Sequence, residues 1–190
     1  MGDEKVAVFG GSFDPVHIGH VAFINALIEK LHFKKIIVVP CKTHPFQKNF
    51  TFTNKNRLEM LQKALRDLSQ VEVSDFELNS TETSYTVHTL KYFKKKHQEL
   101  TFVCGDDAFL GIESWKEYRE LFQLADFLVV TRKGSKIDLK PLLQKFAQNQ
   151  IANIELVDLQ LPEVSSSQIR ERLKENKSVE NLIPKGVLSE

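Results

Sequence analysis

Short apolar runs rich in β-branched residues recur along the chain, and stretches with a helical spacing of apolar residues lie between them. Four runs predict strands, at residues 5–10, 34–40, 100–105 and 126–132, and residues 71–78 and 154–159 are weaker candidates. The apolar residues in these runs are continuous rather than alternating, which is typical of parallel strands buried on both faces.

Two of the intervening stretches have a clear helical period. Val21, Ile24 and Ile28 step by three and four residues, and a leucine series between residues 54 and 70 does the same. Alternating strands and helices predict an α/β fold, namely a doubly wound, Rossmann-like parallel sheet with helices on both faces. The length of 190 residues and the lack of a linker favour a single domain over 1–190, with a C-terminal helical segment from about residue 165.

Composition narrows the range of partners. The formal net charge is +1, so no overall field favours nucleic acid or an anionic membrane, and no apolar run approaches the length of a membrane span. Cys41 and Cys104 do not form a disulfide framework and are interpreted as reduced thiols. We therefore expect a cytoplasmic protein whose partners are small molecules, rather than nucleic acid or a membrane.

The segment "VFGGSFDPVHIGH" (8–20) joins the first predicted strand to the first predicted helix. It places a glycine pair at the carboxyl end of a strand, where ligands bind in open α/β sheets. His17 and His20 are three residues apart and can project from one side of the first helical turn. Together with the backbone N–H groups of the helix start, the two imidazoles form a candidate anion site.

Two other interpretations of the histidine pair stay open at this point. The pair could bind zinc, but no further histidine or cysteine pair has a suitable spacing, so we expect no protein-bound metal. The two residues could also be ordinary surface histidines.

A second candidate anion site lies in "LPEVSSSQIRERL" (161–173). Ser165, Ser166 or Ser167 can cap the helix that follows, and Arg170 lies one turn further on. A hydroxyl-lined helix start with an arginine suits phosphate. An ordinary capped surface helix would have the same pattern.

Together the two segments resemble the signature motifs of the nucleotidylyltransferase superfamily. "HIGH" (17–20) resembles the H-x-G-H motif, which class I aminoacyl-tRNA synthetases share, and "VSSSQIR" (164–170) resembles the Ser-rich signature that ends in Ile-Arg. The chain lacks the K-M-S-K-S-like loop of a synthetase. The resemblance implies that ATP is bound by Gly10, Gly11, Ser12, Phe13, His17, Gly19, His20, Ser165, Ser166, Ser167, Ile169 and Arg170.

The middle of the chain resembles the bacterial nicotinate-nucleotide adenylyltransferases within that superfamily. The matching segments are "SYTVHTL" (84–90), "FVCGDDAFLGIESWKEYREL" (102–121) and "VVTRKG" (129–134). The resemblance implies that the nucleotide substrate is contacted by Ser84, Tyr85, Thr86, Gly105, Asp107, Trp115, Tyr118 and Arg132. Backbone amides near Thr86 only donate hydrogen bonds and so suit a carboxylate, while the Trp115 ring can stack on a pyridinium.

Some positions depart from the family pattern. The loop after the second strand usually carries a Pro-Pro-His-Lys sequence, which is altered here, so Lys48 is assigned as the phosphate lysine and Lys42 is a competitor. Asp106 stands where the family prefers a small residue, and His88 where an acidic residue is common.

The implied reaction transfers the adenylyl group of ATP to nicotinate mononucleotide and releases pyrophosphate, a step of NAD biosynthesis. His17, His20, Lys48 and Arg170 are the catalytic candidates. Mg²⁺ would bridge the phosphates, and a homo-oligomer is compatible with the sequence. The alternatives are an adenylyltransferase acting on nicotinamide mononucleotide or phosphopantetheine, and a nucleotide-binding module without activity.

Overall fold

Six parallel strands form the centre of the computed structural model, which describes residues 5–43, 49–132, 135–148 and 153–188. The strands are β1 (Val6–Gly11), β2 (Lys35–Pro40), β3 (Val71–Val73), β4 (Leu100–Gly105), β5 (Asp126–Arg132) and β6 (Ile154–Leu159). Their order in the sheet is β3-β2-β1-β4-β5-β6, and every neighbouring pair is parallel. The predicted fold class, a doubly wound parallel α/β sheet, is confirmed.

Helices connect the strands. They are α1 (Ile18–Glu29), α2 (Asn54–Leu65), α3 (Phe76–Asn79), α4 (Thr86–Lys94), α5 (Asp106–Leu110), α6 (Tyr118–Leu124), α7 (Lys140–Gln148) and α8 (Ser166–Lys174), with a 3₁₀ turn at Ile112–Ser114. No helix within the described part of the chain is both long and apolar enough to span a membrane.

Both faces of the sheet are covered, as the continuous apolar runs predict. On one face, Ala7 and Val38 pack with residues of α1, α2 and α8, including Leu27 and Leu61. On the other face, alternate strand residues such as Val8 pack with α4 to α7. Successive side chains of a strand point to opposite faces, so a strand in this position must be apolar at nearly every residue.

The strand order creates a switch point between β1 and β4. The chain runs from β1 outward through β2 to β3, and then returns to β4 on the other side of β1. Connections from β1 and β4 therefore leave in opposite directions and open a crevice above their carboxyl ends, which is where ligands bind in such sheets.

The prediction of a strand over 71–78 is only partly right. The strand ends at Val73, and Phe76–Asn79 forms the short helix α3. The hydroxyl of Ser74 accepts a hydrogen bond from the backbone N–H of Phe76 at 3.3 Å. This local bond turns the chain away from the sheet, as serine commonly does where a ladder ends.

The C-terminal tail contributes to the start of α1. The backbone N–H of Ile18, the first residue of α1, donates to the carbonyl of Leu182 at 3.0 Å. Ile183 and Val187 of the same tail are buried in the core. The tail thus satisfies one of the N–H groups that a helix start leaves without an intrahelical partner.

We predict that Ile169→Ala lowers the free energy of unfolding by about 2–5 kcal/mol, because its side chain is fully buried where α8 packs on the core. Gln168→Ala, at the neighbouring exposed position, is the control and should stay within about 0.5 kcal/mol of wild type. Urea unfolding followed by circular dichroism measures both. Equal stability of the two variants would contradict this account of how α8 is held.

Candidate active site

The loop between β1 and α1 ends in a reciprocal pair of histidine hydrogen bonds. His17 is the N-cap of α1, and its Nδ1 accepts from the backbone N–H of His20 at 3.3 Å. The Nδ1 of His20 accepts from the backbone N–H of His17 at 3.2 Å, and the two rings stack with centroids 3.6 Å apart. This is a capping box in which both side chains are imidazoles.

The capping box determines which nitrogen of each ring carries the proton. An imidazole nitrogen that accepts a backbone N–H has no proton of its own, so each neutral ring is protonated on Nε2. His17 is buried and His20 half-buried, which limits their alternative rotamers. The capping box therefore orients the Nε2–H group of each ring at the start of α1.

Gly19 lies between the two histidines because the space beside it is already filled. A Cβ at this position would lie 3.0 Å from Nδ1 of His17 and 3.0 Å from Cγ1 of Val164. Val164 precedes the serine cluster of α8. The missing side chain thus lets the segment before α8 pack directly against the histidine turn.

Helix α8 is bonded to the same loop. Ser165 is its N-cap and accepts from the backbone N–H of Gln168 at 3.2 Å. The hydroxyl of Ser166 donates to the carbonyl of Pro15 at 2.9 Å, and Nη1 of Arg170 donates to the carbonyl of Asp14 at 2.8 Å. The two motifs from opposite ends of the sequence therefore meet in one place.

Asp14 holds the loop from its other side. Its side chain is fully buried, and its two carboxylate oxygens accept from the backbone N–H groups of Thr51 and Phe52 at 2.9 and 2.8 Å. Both oxygens are thereby engaged in fixing the chain that leads into α2.

A buried arginine that the sequence analysis missed completes the support of this loop. The guanidinium of Arg57 donates to the carbonyls of Ser12 and Cys41 at 2.5 and 2.7 Å, and to Oδ1 of Asn54 at 2.7 Å. Arg57 is fully buried, and this burial lowers its pKa. Arg57 lies one turn before Leu61 on the buried face of α2. A charged residue at a position where the helical period predicts an apolar one was the sequence signal that could have revealed it.

Two cavities open at the carboxyl edge of the sheet. The histidine cavity has a volume of about 180 Å³ and is lined by Phe9, Gly10, Gly11, Phe13, His17, Gly19, His20, Phe23, Gly105, Asp107, Val130, Leu161, Pro162 and Val164. The tryptophan cavity has a volume of about 680 Å³ and is lined by Phe9, Gly10, Gly11, Cys41, Glu77, Ser84, Tyr85, Thr86, Phe102, Cys104, Gly105, Asp107, Ala108, Gly111, Ser114, Trp115 and Lys116.

The two cavities share one wall. Phe9, Gly10, Gly11, Gly105 and Asp107 line both, at the ends of β1 and β4 and the start of α5. This wall coincides with the switch point of the sheet. Two ligands could therefore lie side by side and meet above it.

Most predicted substrate residues line the tryptophan cavity, but some do not. Tyr118 lines neither cavity, and its ring lies against Phe146, with centroids 6.4 Å apart. Arg132 is the last residue of β5, at the same edge of the sheet as the cavities. Trp115 stands edge-on to Phe102, with centroids 5.9 Å apart, at the cavity wall.

The remaining predicted ATP residues are also off the cavity walls. The side chain of Ile169 is fully buried in the core, so only its backbone could meet a ligand. Ser12 points to Cys41, whose Sγ lies 3.8 Å from the hydroxyl oxygen of Ser12. Ser167 accepts from Nη2 of Arg170 at 3.1 Å.

The structure describes only one of the two candidate phosphate lysines. Lys48 lies outside the described residues. Lys42 directs its ammonium group to the backbone carbonyl of Ser80, and its backbone N–H donates to the hydroxyl of Ser84 at 2.9 Å. Lys42 therefore joins the end of β2 to the segment before α4.

Two departures from the family pattern have structural partners of their own. Asp106 is buried and accepts from the backbone N–H of Asp107 at 2.9 Å and from the hydroxyl of Ser135. Nδ1 of His88 lies 3.0 Å from a carboxylate oxygen of Glu82. Asp106 thus ties α5 to the segment after β5, and His88 ties α4 to the loop before it.

Comparison with known proteins identifies the family. Residues 8–172 match the model of the cytidylyltransferase-like family, so the chain belongs to this family. A protein of Methylacidiphilum infernorum named "Probable nicotinate-nucleotide adenylyltransferase" is 37% identical over 96% of this chain and 87% of its own length. A protein of the same name from Hydrogenobaculum sp. is 38% identical over 96% and 93%. The resemblance to nicotinate-nucleotide adenylyltransferases is confirmed.

A solved structure has the same fold. The nicotinic acid mononucleotide adenylyltransferase of Plasmodium falciparum, complexed with NaAD, superposes with a TM-score of 0.79. The match covers 97% of this chain and 92% of that one at 22% sequence identity. At this identity the match supports the architecture alone.

We predict that Arg57→Met destabilises the protein by about 3–5 kcal/mol, because it leaves buried carbonyl oxygens without donors. Arg57→Lys should be intermediate, since an ammonium cannot reproduce the planar fork of donors. Arg66→Met is the control, because this side chain is 75% exposed at the end of the same helix. Thermal unfolding compares the three variants, and a near-wild-type melting temperature for Arg57→Met would contradict the role assigned to Arg57.

Proposed function

We propose that the chain transfers the adenylyl group of ATP to nicotinate mononucleotide, forming nicotinate adenine dinucleotide and pyrophosphate. The observation that carries this proposal is the pair of cavities that share a wall at the switch point, in a chain whose close relatives are named for this activity. One cavity has donors suited to phosphate, and the other has the size and aromatic lining of a nucleotide-base site.

The chemistry needs no protein nucleophile. An oxygen of the mononucleotide phosphate attacks the α-phosphorus of ATP and forms the new P–O bond. The bond between the α-phosphorus and the bridging oxygen breaks, and pyrophosphate leaves with its electron pair. The protein then contributes by holding the two phosphates in line and by stabilising charge that moves to the leaving group.

We assign the stabilisation of this charge to the histidine loop before α1 and to the start of α8, which come from opposite ends of the sequence. The Nε2–H groups of His17 and His20 donate to the phosphates of ATP, with His20 at the α-phosphate. Arg170 and the Ser165–Ser167 turn bind the β- and γ-phosphates, as does Lys48, which follows β2 in the sequence. The support for this assignment is the direct bonding of α8 to the carbonyls of the histidine loop.

We place the nicotinate ring in the tryptophan cavity. The N-cap of α4, Tyr85, makes no side-chain capping hydrogen bond, so the first N–H groups of α4 are suited to a ligand carboxylate. Trp115 supplies an aromatic face for the ring, and Gly105 and Asp107 lie where the ribose would pass. A carboxamide in place of the carboxylate would place its own N–H donors against the N–H donors of α4.

Magnesium enters this proposal as part of the substrate, MgATP. No cluster of three or more metal-ligating side chains occurs in the described ranges. Asp107 is the carboxylate in the wall that the two cavities share. Mg²⁺ usually retains several waters and binds through substrate phosphates, so a site with a single protein carboxylate is compatible with its coordination.

Other parts of the proposal rest on the sequence. A single catalytic domain over residues 1–190, a cytoplasmic location and a homo-oligomeric state stay predictions.

We predict that His20→Ala and His20→Asn each lower kcat by about 10²–10³-fold, because both lack the Nε2–H donor. The Oδ1 of asparagine can replace Nδ1 as the acceptor for the His17 N–H, so His20→Asn should unfold at nearly the wild-type temperature. His32→Asn is the control: His32 is exposed at φ 58°, a conformation that asparagine tolerates. A near-wild-type kcat for His20→Asn would show that His20 contributes as a capping acceptor and that its Nε2–H donor is not needed for catalysis.

The acceptor is tested by pyrophosphate release from MgATP with nicotinate mononucleotide, nicotinamide mononucleotide or phosphopantetheine supplied separately. We expect kcat/KM for nicotinate mononucleotide to exceed that for the amide by at least about tenfold, because the amide places donors against donors. Turnover with phosphopantetheine alone would contradict the assigned acceptor. ATP binding by calorimetry without turnover on any acceptor would favour the inactive binding module.

A further inference from the structure

A buried carboxyl group stands in the wall of the tryptophan cavity, where the proposed mechanism does not use it. Glu77 lies in α3, and only 8% of the residue is exposed. A negatively charged group beside a cavity assigned to a carboxylate ligand would repel that ligand, so its presence needs an explanation. The hydrogen bonds of Glu77 provide one.

Glu77 connects α3 to the first two turns of α4. The hydroxyl of Thr89, in the second turn of α4, donates to Oε1 of Glu77. Ser84, which immediately precedes the N-cap Tyr85, lines the same cavity as Glu77. Burial raises the pKa of Glu77, and the Thr89 and Ser84 hydroxyls oppose that rise. A carboxylate can accept from both hydroxyls at once, since it has acceptor sites on two oxygens.

The network continues to β2. The hydroxyl oxygen of Ser84 accepts from the backbone N–H of Lys42 at 2.9 Å, and the Lys42 ammonium donates to the carbonyl of Ser80. The segment that leads into α4 is thereby held from two directions. Since Tyr85 gives α4 no side-chain cap, the orientation of its first N–H groups depends on this segment.

We propose that Glu77 is a positioning residue for the mononucleotide substrate, holding Thr89 so that the first turn of α4 faces the nicotinate carboxylate. This inference rests on the proposed function, because it assigns a support to the acceptor site. Glu77 acts here through geometry. A direct charge effect would instead oppose the ligand, since two carboxylates repel each other.

The test measures KM and kcat separately for nicotinate mononucleotide and ATP. Glu77→Ala removes the acceptor of the Thr89 hydroxyl, and we expect KM for the mononucleotide to rise about tenfold while KM for ATP stays within about twofold. Glu77→Gln keeps an acceptor oxygen of the same reach and should recover most of the affinity. Thr89→Val removes one donor without changing the volume and should raise KM for the mononucleotide by about threefold.

Glu72→Ala is the matched control, because Glu72 is an exposed acid on the neighbouring strand β3 and should leave both KM values unchanged. A lower KM for the mononucleotide in Glu77→Ala and Glu77→Gln alike would overturn positioning in favour of charge repulsion. Equal increases in both KM values would identify Glu77 as a general structural residue. If Glu77→Ala does not fold, Thr89→Val with unchanged KM values would overturn the proposal by itself.

Wild-type turnover separates this inference from the proposed function. If wild type uses nicotinate mononucleotide and the Glu77 and Thr89 variants match it, only the role of Glu77 is wrong. If wild type releases no pyrophosphate with this acceptor, the proposed function itself fails, and the inference with it.

Discussion

The carbonyl oxygens of Asp14 and Pro15 hold the two ends of the sequence together. They accept hydrogen bonds from Arg170 and Ser166, residues 156 and 151 positions away. The loop that carries these carbonyls also carries His17, so α8 is held at a fixed place relative to the imidazoles. The histidine cavity depends on this attachment, because part of its wall, including Val164, comes from the segment before α8.

Asp14, Arg57 and Glu77 are three of the buried ionisable residues in the described part of the chain, and each is bonded mainly across chain segments. Asp14 accepts from backbone N–H groups, Arg57 donates to backbone carbonyls, and Glu77 accepts from the Thr89 hydroxyl. Burying such groups is costly unless their hydrogen bonds are made. In return, each bond can be made only in one arrangement of the loops. The binding edge of the sheet is therefore defined by polar contacts, whereas the sheet itself is defined by apolar packing.

The sequence predicts the sheet well because continuous apolar runs leave few alternatives for buried parallel strands. It is only partly right at 71–78: the strand forms at Val71–Val73 and then ends where Ser74 makes a local hydrogen bond that periodicity does not register. The histidine and serine clusters are recognisable because residue type alone marks them. Arg57 is not, since its role depends on carbonyls of Ser12 and Cys41 that are distant in sequence. Which aromatic side chain faces a cavity, Trp115 rather than Tyr118, likewise requires the packing of α6.

The hydrogen bond from Ile18 to Leu182 has a consequence for how the protein is made. Translation delivers the glycine-histidine loop to the outside of the ribosome well before Leu182, whose carbonyl completes the start of α1. The nascent chain therefore carries an unfinished nucleotide site while the residues between Ile18 and Leu182 are synthesised. A chain that ended before Leu182 would have a helix α1 that lacks this acceptor, however complete the sheet beneath it.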